Sequence, residues 1–400
     1  MAGDRRVLLA NSIYHLTNDG AVTVIAGEIT VLRGVFAFGA FEIGLITGTT
    51  MLVTAIVQIL VGAMSDRRDP SRFLSLGILL LGFGTILAIV ASSWQALLGI
   101  LVLARVGAGF YHPVGIAWIG REFQGEGLDR SMGYQSAFGD AGVILGMATA
   151  AILGAYLDWR SPFLLWGALN LGAVAVALTL VRGRSAPPAA TRERPDYRAM
   201  VRDVRLWLFP LGLGGASFAI FTSFGPPLLK DRFGVSDAAA GVSIAVWILA
   251  GALVAFFFGR VSKRFGRFQV LAASYAFLGI ASLVGAVVAN GIAVVVAFWT
   301  LGSALFVTYP ALFSFVSEAS HRRLQGAAFG FIFMFQLLGA ALGSFAAGTL
   351  AGAFVATPEV AATIPFYLCA ALVFAGFAYL LALRGRLSNA RTPVPVARTV

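Results

Sequence analysis

The chain has 400 residues, 59% of them hydrophobic and only 12% charged, with a mean hydropathy of +0.87. Soluble globular domains carry about 25% charged residues, so a soluble enzyme or regulator is excluded and an integral membrane protein is indicated. The formal net charge of +11 raises the question of a nucleic-acid partner, and the placement of the basic residues answers it.

Apolar blocks long enough to cross a bilayer as helices recur along nearly the whole chain. A β-barrel would show short alternating segments instead. Twelve spans are expected at 7–32, 40–63, 73–92, 95–119, 131–157, 162–181, 206–229, 238–259, 269–289, 292–316, 326–353 and 361–383. The N-terminal basic residues and the apolar run behind them have the order of a signal peptide. That run, however, continues past His15, Asn18 and Asp19 to Leu32, and it reads as the first span. With the N-terminus placed inside, only Arg33, Arg160, Lys230 and Arg232 of the 29 Lys and Arg fall outside, and Arg105 lies within the membrane. The positive-inside rule then puts both termini in the cytoplasm. The basic excess is topology and headgroup attraction, with no nucleic acid implied. Cys369 is the only cysteine, so neither a disulfide framework nor a Cys metal cluster is expected.

In the fourth span, the stretch from Leu101 to Trp118 carries Arg105, His112 and Pro113 in an otherwise apolar run. Arg105 and His112 are seven residues, about two turns, apart and project from nearly the same face. A charge at this depth is too costly to face lipid. Pro113 removes a backbone hydrogen bond, tolerated at membrane depth where protein or cavity water replaces it. Downstream, the Arg- and Pro-containing segment 183–205 separates an N-terminal bundle, 1–182, from a C-terminal one, 206–383, and 384–400 is a basic cytoplasmic tail. A constant shift of 197 aligns the halves: Gly44 with Gly241, Gly62 with Gly259, Arg67 with Arg264, Pro113 with Pro310, Gly142 with Gly339 and Gly146 with Gly343.

Two parallel six-helix repeats, with the motifs now described, resemble the major facilitator superfamily of transporters. The run from Gly62 to Arg72, with Asp66 and Arg67, is similar to that superfamily's cytoplasmic loop motif. The resemblance implies that Gly62, Asp66 and Arg67, and in the second copy Gly259 and Arg264, form a conformational latch. Lys263 stands where the second copy would have the Asp. Leu101 to Gly109 resembles the motif whose arginine, here Arg105, is linked to proton coupling in the family's antiporters. His15-Leu-Thr-Asn18-Asp19 and Gly109-Phe-Tyr111-His112-Pro113 resemble the fosmidomycin-resistance branch of drug exporters. In the fifth span the antiporter signature would carry a Gly-Pro pair, and the chain has Gly139-Asp140-Ala141-Gly142.

By helical rise, His15, His112 and Asp140 lie about 10–14 Å from the cytoplasmic ends of their spans, and Asp19 and Arg105 about 18–21 Å. These five are the candidate proton-coupling residues, with Arg105 expected to pair with Asp19 or Asp140. The alternative is a permanent structural brace. The shift of 197 carries them to Gly212, Ala216, Gly302, Tyr309 and Leu337, none charged. The N-terminal half is therefore expected to couple protons and the C-terminal half to shape the substrate site. Candidate substrate contacts are Asn18, Arg105, Tyr111, Phe221, Thr222, Tyr309, Phe335 and Gln336. Glu28 reads equally as a gate carboxylate or a solvated interface residue. Two histidines and an aspartate without a further spacing motif do not make a metal site. Small residues every four positions, from Gly142 to Gly154 and from Gly339 to Ala351, suit close packing near the interface of the halves.

No HExxH, GxSxG or phosphate-binding glycine loop is present, so neither an enzyme nor a cofactor is expected. The expectation is a monomeric, multi-pass inner-membrane transporter driven by the proton gradient. It exports a small drug-like molecule by antiport, with proton-coupled uptake of a small organic acid as the alternative.

Overall fold

The computed structural model describes residues 4–65, 68–124, 126–183, 197–319, 325–354 and 356–389. Its helices, in chain order, are α1 (Arg5–Gly27), α2 (Ile29–Phe36), α3 (Ala40–Ser65), α4 (Pro70–Leu87), α5 (Trp94–Ala108), α6 (Tyr111–Glu122), α7 (Glu126–Tyr156) and α8 (Arg160–Leu180) in the first half. The second half has α9 (Tyr197–Phe233), α10 (Asp237–Phe256), α11 (Phe258–Phe265), α12 (Arg267–Val287), α13 (Gly291–Thr300), α14 (Leu305–Ala319), α15 (Gln325–Gly352) and α16 (Pro358–Asn389). Every expected span is recovered as one helix or as an interrupted pair. Eleven of them are apolar enough to cross a membrane by composition alone. The twelfth, α1, is a 23-residue helix whose hydropathy is lowered by the polar residues that matter most. Two expected boundaries move. The α9 helix starts at Tyr197, inside the anticipated linker, and α16 runs to Asn389, into the anticipated tail.

Helix ends follow local chemistry. Asp69, Ser93, Ser236 and Asn290 cap α4, α5, α10 and α13 through side-chain oxygens, and Pro70 occupies the first turn of α4. Gly234 and Gly266 have φ of +67° and +87°, where a side chain would be strained, and each closes a tight connection between helices. The fourth and tenth spans are both interrupted, at Gly109–Phe110 and at a short 3₁₀ turn, Gly302–Ala304. Pro113 falls in the first turn of α6, where a missing N–H is harmless.

The 197-residue repeat is visible as packing. Gly142 lies against Leu16 of α1, and Gly339 against Gly212 of α9. Gly146 lies against Gly20, and Gly343 against Ala216. These small-residue stripes pack α7 and α15 onto the first helix of their own half. The two helices lie at the interface of the halves, as expected, but the close backbone approach of their small-residue stripes is used inside each bundle. The contacts between halves use the neighbouring face. Gly44 of α3 abuts Gly348 of α15, and Gly241 of α10 abuts Ala151 of α7. The two crossings are related by the same shift, since 44 maps to 241 and 151 to 348.

The described polar contacts between halves lie at the α2 end of the bundle. Arg33 Nη1 donates to Asp231 Oδ2 at 2.6 Å, and Thr47 Oγ1 donates to Ser223 Oγ at 3.1 Å. Toward the other end, where the chain begins, Gly133, Ser136, Ala137 and Asp140 of α7 are exposed. Asp140 precedes Ala151 by eleven residues, three turns, and so shares the face that meets α10. Its exposure means the halves have separated along α7 at that level. His112 still reaches across to Phe333 of α15, with ring centroids 5.8 Å apart.

Of the expected latch residues, Asp66 and Arg67 lie outside the described residues. A side-chain carbon at Gly62 would meet Pro113 Cβ at an ordinary 3.5 Å, and Gly259 has no neighbour that a side chain would meet. Arg264 is exposed and lies over the Phe265 ring, with no ion pair among the described residues. The charged tie in the second half is made by Arg267 Nη1 and Glu318 Oε1 at 2.5 Å, joining α12 to α14. In the first half, Arg121 of α6 donates to the Ser65 carbonyl at the end of α3. Arg121 and Glu318 are 197 residues apart and opposite in charge, a signal present in the sequence that motif reading passed over.

Candidate functional site

The interruption between α5 and α6 builds the centre of the molecule. It restarts the helix at Tyr111, so that Tyr111 and His112 occupy a first turn aimed at α1. The Tyr111 ring stacks on His15 at 4.2 Å, and its hydroxyl points between Asn11 Oδ1 at 2.6 Å and Gln135 Oε1 at 2.9 Å. His112 stands edge-on to His15 at 5.5 Å, with its Nδ1 3.5 Å from Gln58 Nε2. On α1, His15 and Asp19 are one turn apart on the same face, and His15 Nε2 lies 3.1 Å from Asp19 Oδ2. Asn18 Nδ2 donates to the other oxygen, Asp19 Oδ1, at 2.8 Å.

The protonation of this pair follows from its partners. His15 Nδ1 lies 2.7 Å from the Gln135 backbone carbonyl, which can only accept, so Nδ1 carries a proton. A neutral His15 would then turn the lone pair of Nε2 toward a carboxylate. At 3.1 Å a proton must lie between them, on the nitrogen or on the oxygen. The pair is a one-proton site by geometry.

Room for it is made by glycine. A side-chain carbon at Gly139 of α7 would run into the His15 ring. Gly139→Ala is therefore expected to displace the imidazole from both Gln135 and Asp19, at about the 1–3 kcal/mol typical of overpacking. The expected result is a loss of gradient-driven transport of about tenfold or more with the purified protein still monodisperse, as 1.4 kcal/mol is roughly tenfold. Wild-type transport rates in the variant would rule this geometry out.

Arg105 corrects the sequence expectation of an ion pair. Its Nη2 donates to the Val22 carbonyl of α1 at 2.7 Å, and no carboxylate among the described residues is within ion-pair distance. Asp19 is one turn away, but His15 and Asn18 already occupy its two oxygens. Arg105 instead faces a narrow cleft, with about 30 Å³ of free space, between α1, α3 and α5 on one side and α9 on the other. It shares the lining with Thr23, Thr47, Thr50, Phe218, Thr222 and Ser223. Asp140 is exposed in the gap along α7, next to Gly139, which faces the His15 ring.

The expected substrate contacts divide. Thr222 lines the cavity, as anticipated. Tyr309, Phe335 and Gln336 gather around α9 at Gly212 to Gly215, each partly exposed, with the Tyr309 hydroxyl 3.3 Å from the Gly214 carbonyl. Phe221 is a correction. It is fully buried and stacked on Trp247 at 4.8 Å, with Phe298 and Phe366 around it, so it belongs to the core of the second half. Asn18 and Tyr111 are also buried, and they hold Asp19 and His15 in place; neither touches the cavity. Sequence reading missed Asn11, Gln58 and Gln135. The signal was available: each is an amide inside an apolar span, and Asn11 sits one turn before His15.

A buried His–Asp pair beside an arginine-lined cleft at the junction of two six-helix bundles is the arrangement found in transporters built from two parallel repeats. The family model for the Major Facilitator Superfamily matches residues 12–344, and the chain belongs to that superfamily. It is 27% identical over 355 residues to the fosmidomycin resistance protein of Escherichia coli, covering 84% of this chain and 85% of that one. It is 24% identical over 250 residues to a probable L-galactonate transporter of Escherichia coli, covering 55% and 53%. Among solved structures, a bacterial homologue of the human lysosomal transporter Spinster, in an inward-facing and occupied conformation, superposes with a TM-score of 0.76 at 16% identity, covering 96% of each chain. The protein is thus a multi-pass membrane protein of a transporter superfamily, and the relatives it matches include a membrane sensor protein of Salmonella typhimurium, 23% identical over 334 residues and covering 75% of each chain, as well as transporters.

Proposed function

We propose that the protein is a proton-coupled exporter of a small drug-like or organic molecule, exchanging it for protons by alternating access. The observation that carries this reading is the 3.1 Å contact of His15 Nε2 with Asp19 Oδ2, which calls for a proton between them, one turn from the cleft at Arg105. Losing that proton leaves Asp19 ionised, with only Asn18 and the charge of Arg105 to compensate it. Arg105 then has reason to leave Val22 for Asp19, which changes the wall of the cavity that a substrate meets. Proton and substrate compete through one arginine, and competition of this kind gives exchange. His112 and Asp140 extend the path, His112 toward α15 and Asp140 toward the gap along α7.

The two bundles, 1–182 and 206–383, act as the rocking bodies, with the α2 end closed and the terminus end parted. In this reading the termini are cytoplasmic and the protein works as a monomer in the inner membrane. The proton gradient is its energy source, with no cofactor. The resistance protein among its relatives supports export.

One observation favours a second reading, proton-coupled uptake of an organic acid. Arg105 has no carboxylate partner, so an anionic substrate could supply one, and the galactonate relative is of that kind. The experiment uses proteoliposomes with an internal pH dye and an imposed gradient, to which hydrophobic cations, phosphonates and carboxylates are added in turn. A compound that discharges the gradient by moving against the protons establishes export. One that carries protons with it establishes uptake. No coupled flux with any compound means that the cluster is a structural brace.

A further inference from the structure

The sealed α2 end encloses a carboxyl group. Glu28 is 0% exposed, and neither of its oxygens has a hydrogen-bond partner. It stands at the break between α1 and α2, with φ −111° and ψ 19°, and the break turns its side chain onto α7. There the small-residue stripe ends in Gly154, where any side-chain carbon would collide with Glu28 Oε2. The helix is thus shaped to receive this carboxyl. Thr30, two residues on, is 2% exposed and its hydroxyl also lacks a partner.

The charged groups on the surrounding elements do not relieve the burial. Asp158, at the end of α7, adds a like charge and is itself paired with Arg160 of α8 at 3.4 Å. Arg33 of α2 is bound to Asp231 of α9 at 2.6 Å, and Lys230 of α9 to Asp237 of α10 at 2.6 Å. Arg232 of α9 donates to the Gly285 and Ala286 carbonyls, so each of these cations is already engaged away from Glu28. An ionised carboxylate with both oxygens dry and unpaired is far more costly than the neutral acid.

We propose that Glu28 is a second proton-binding site, loaded when the α2 end closes and emptied when it opens. Closure of the seal between Gly44 and Gly348 and between Ala151 and Gly241 traps the acid in its neutral form. Separation of the halves admits water, and the proton leaves to the compartment that this end faces. Because it is taken up and returned on one side, this proton adds nothing to transport stoichiometry. It makes closure responsive to acidity in that compartment. The inference rests on the alternating-access reading above.

The test places spin labels at Val35 of α2 and Ile292 of α13, both exposed, in a Cys369→Ala background, and records the distance distribution from pH 5 to pH 9. In the otherwise wild-type protein the open-to-closed ratio should rise with pH, approaching about tenfold per unit, the limit for one proton. Glu28→Gln should lose one proton's worth of this slope and shift toward the closed state, keeping only the dependence that the His15–Asp19 pair contributes. As a check that needs no variant to fold, a hydrophobic carbodiimide should modify Glu28 in the wild-type protein at low pH, and peptide mass spectrometry should show the adduct fading as pH rises. A Glu28→Gln protein that opens with the wild-type pH profile would overturn the inference, as would a Glu28 adduct absent at every pH. Distances that change with pH in neither protein, while substrate addition opens both, would overturn it and leave alternating access standing. One fixed distance under every condition would remove both.

Discussion

Asp19→Asn should abolish proton coupling while leaving the protein folded and able to bind substrate. The carboxylate forces a proton into the 3.1 Å gap to His15 Nε2. An amide in its place can donate its own N–H to that nitrogen, so the contact survives with no exchangeable proton in it. Asn18, which donates to Asp19 Oδ1, can donate equally to the new amide oxygen, so the local packing is kept. Gradient-driven transport should fall by about a hundredfold or more, which corresponds to about 2.7 kcal/mol. Exchange of labelled for unlabelled substrate without a gradient should continue at a comparable rate. That split, with coupled flux lost and exchange kept, is what distinguishes a coupling carboxylate from a structural one. Coupled transport at wild-type rates in this variant would mean that the proton path lies elsewhere, with Asp140 the next candidate.

Arg105→Ala should be a comparably damaging change. The side chain is 7% exposed and ties α5 to the Val22 carbonyl of α1. Truncation leaves a space beside Thr23, Thr47 and Thr50 that water can occupy, so a folded protein is expected despite the lost tie. What cannot be replaced is the positive charge beside the cavity. Transport should fall by about two orders of magnitude, in line with the 1.5–3 kcal/mol of a hydrogen bond to a charged group. Arg105→Lys restores the charge but not the planar fork that reaches both a carbonyl and a ligand, and it should recover only part of the activity. Equilibrium binding adds a discriminating readout. If Arg105→Ala loses phosphonate or carboxylate binding and keeps that of cationic drugs, the arginine touches anionic substrate and the uptake reading gains. Transport by Arg105→Ala at more than about a tenth of the wild-type rate, a cost of only ~1.4 kcal/mol, would show that Arg105 is dispensable.

The helices were legible because composition in a membrane chain leaves few choices, and the repeat because glycines and prolines recur at a fixed shift. The packing of Gly44 on Gly348 and of Gly241 on Ala151 is that repeat realised in space. The ionisable cluster was legible too, since each member is too costly to place anywhere but inside. What sequence could not supply was facing. In an apolar helix the side toward lipid, the side toward the core and the side toward a cavity are built from the same residue types. Phe221 was therefore read as cavity wall when it is core, and Arg105 was assigned a carboxylate when its partner is a backbone carbonyl. A backbone acceptor leaves no trace in residue identity. Glu28 could be read equally as a gate or as a solvated interface residue, and only its burial against Gly154 removes the solvated reading.

The Arg33–Asp231 bridge has a consequence of a different kind. It is the only ion pair between the halves among the described residues, and its side chains are 23% and 16% exposed, so it stands partly in the aqueous phase. The screening length of water shrinks from about 30 Å at 0.01 M salt to about 8 Å at 0.15 M. The strap holding the α2 end shut is accordingly weaker in a saline medium than in a dilute one. The lifetime of the closed state is thus set in part by the ionic strength bathing that face, so the same molecule would cycle faster in brine than in fresh water where release of this end limits the cycle.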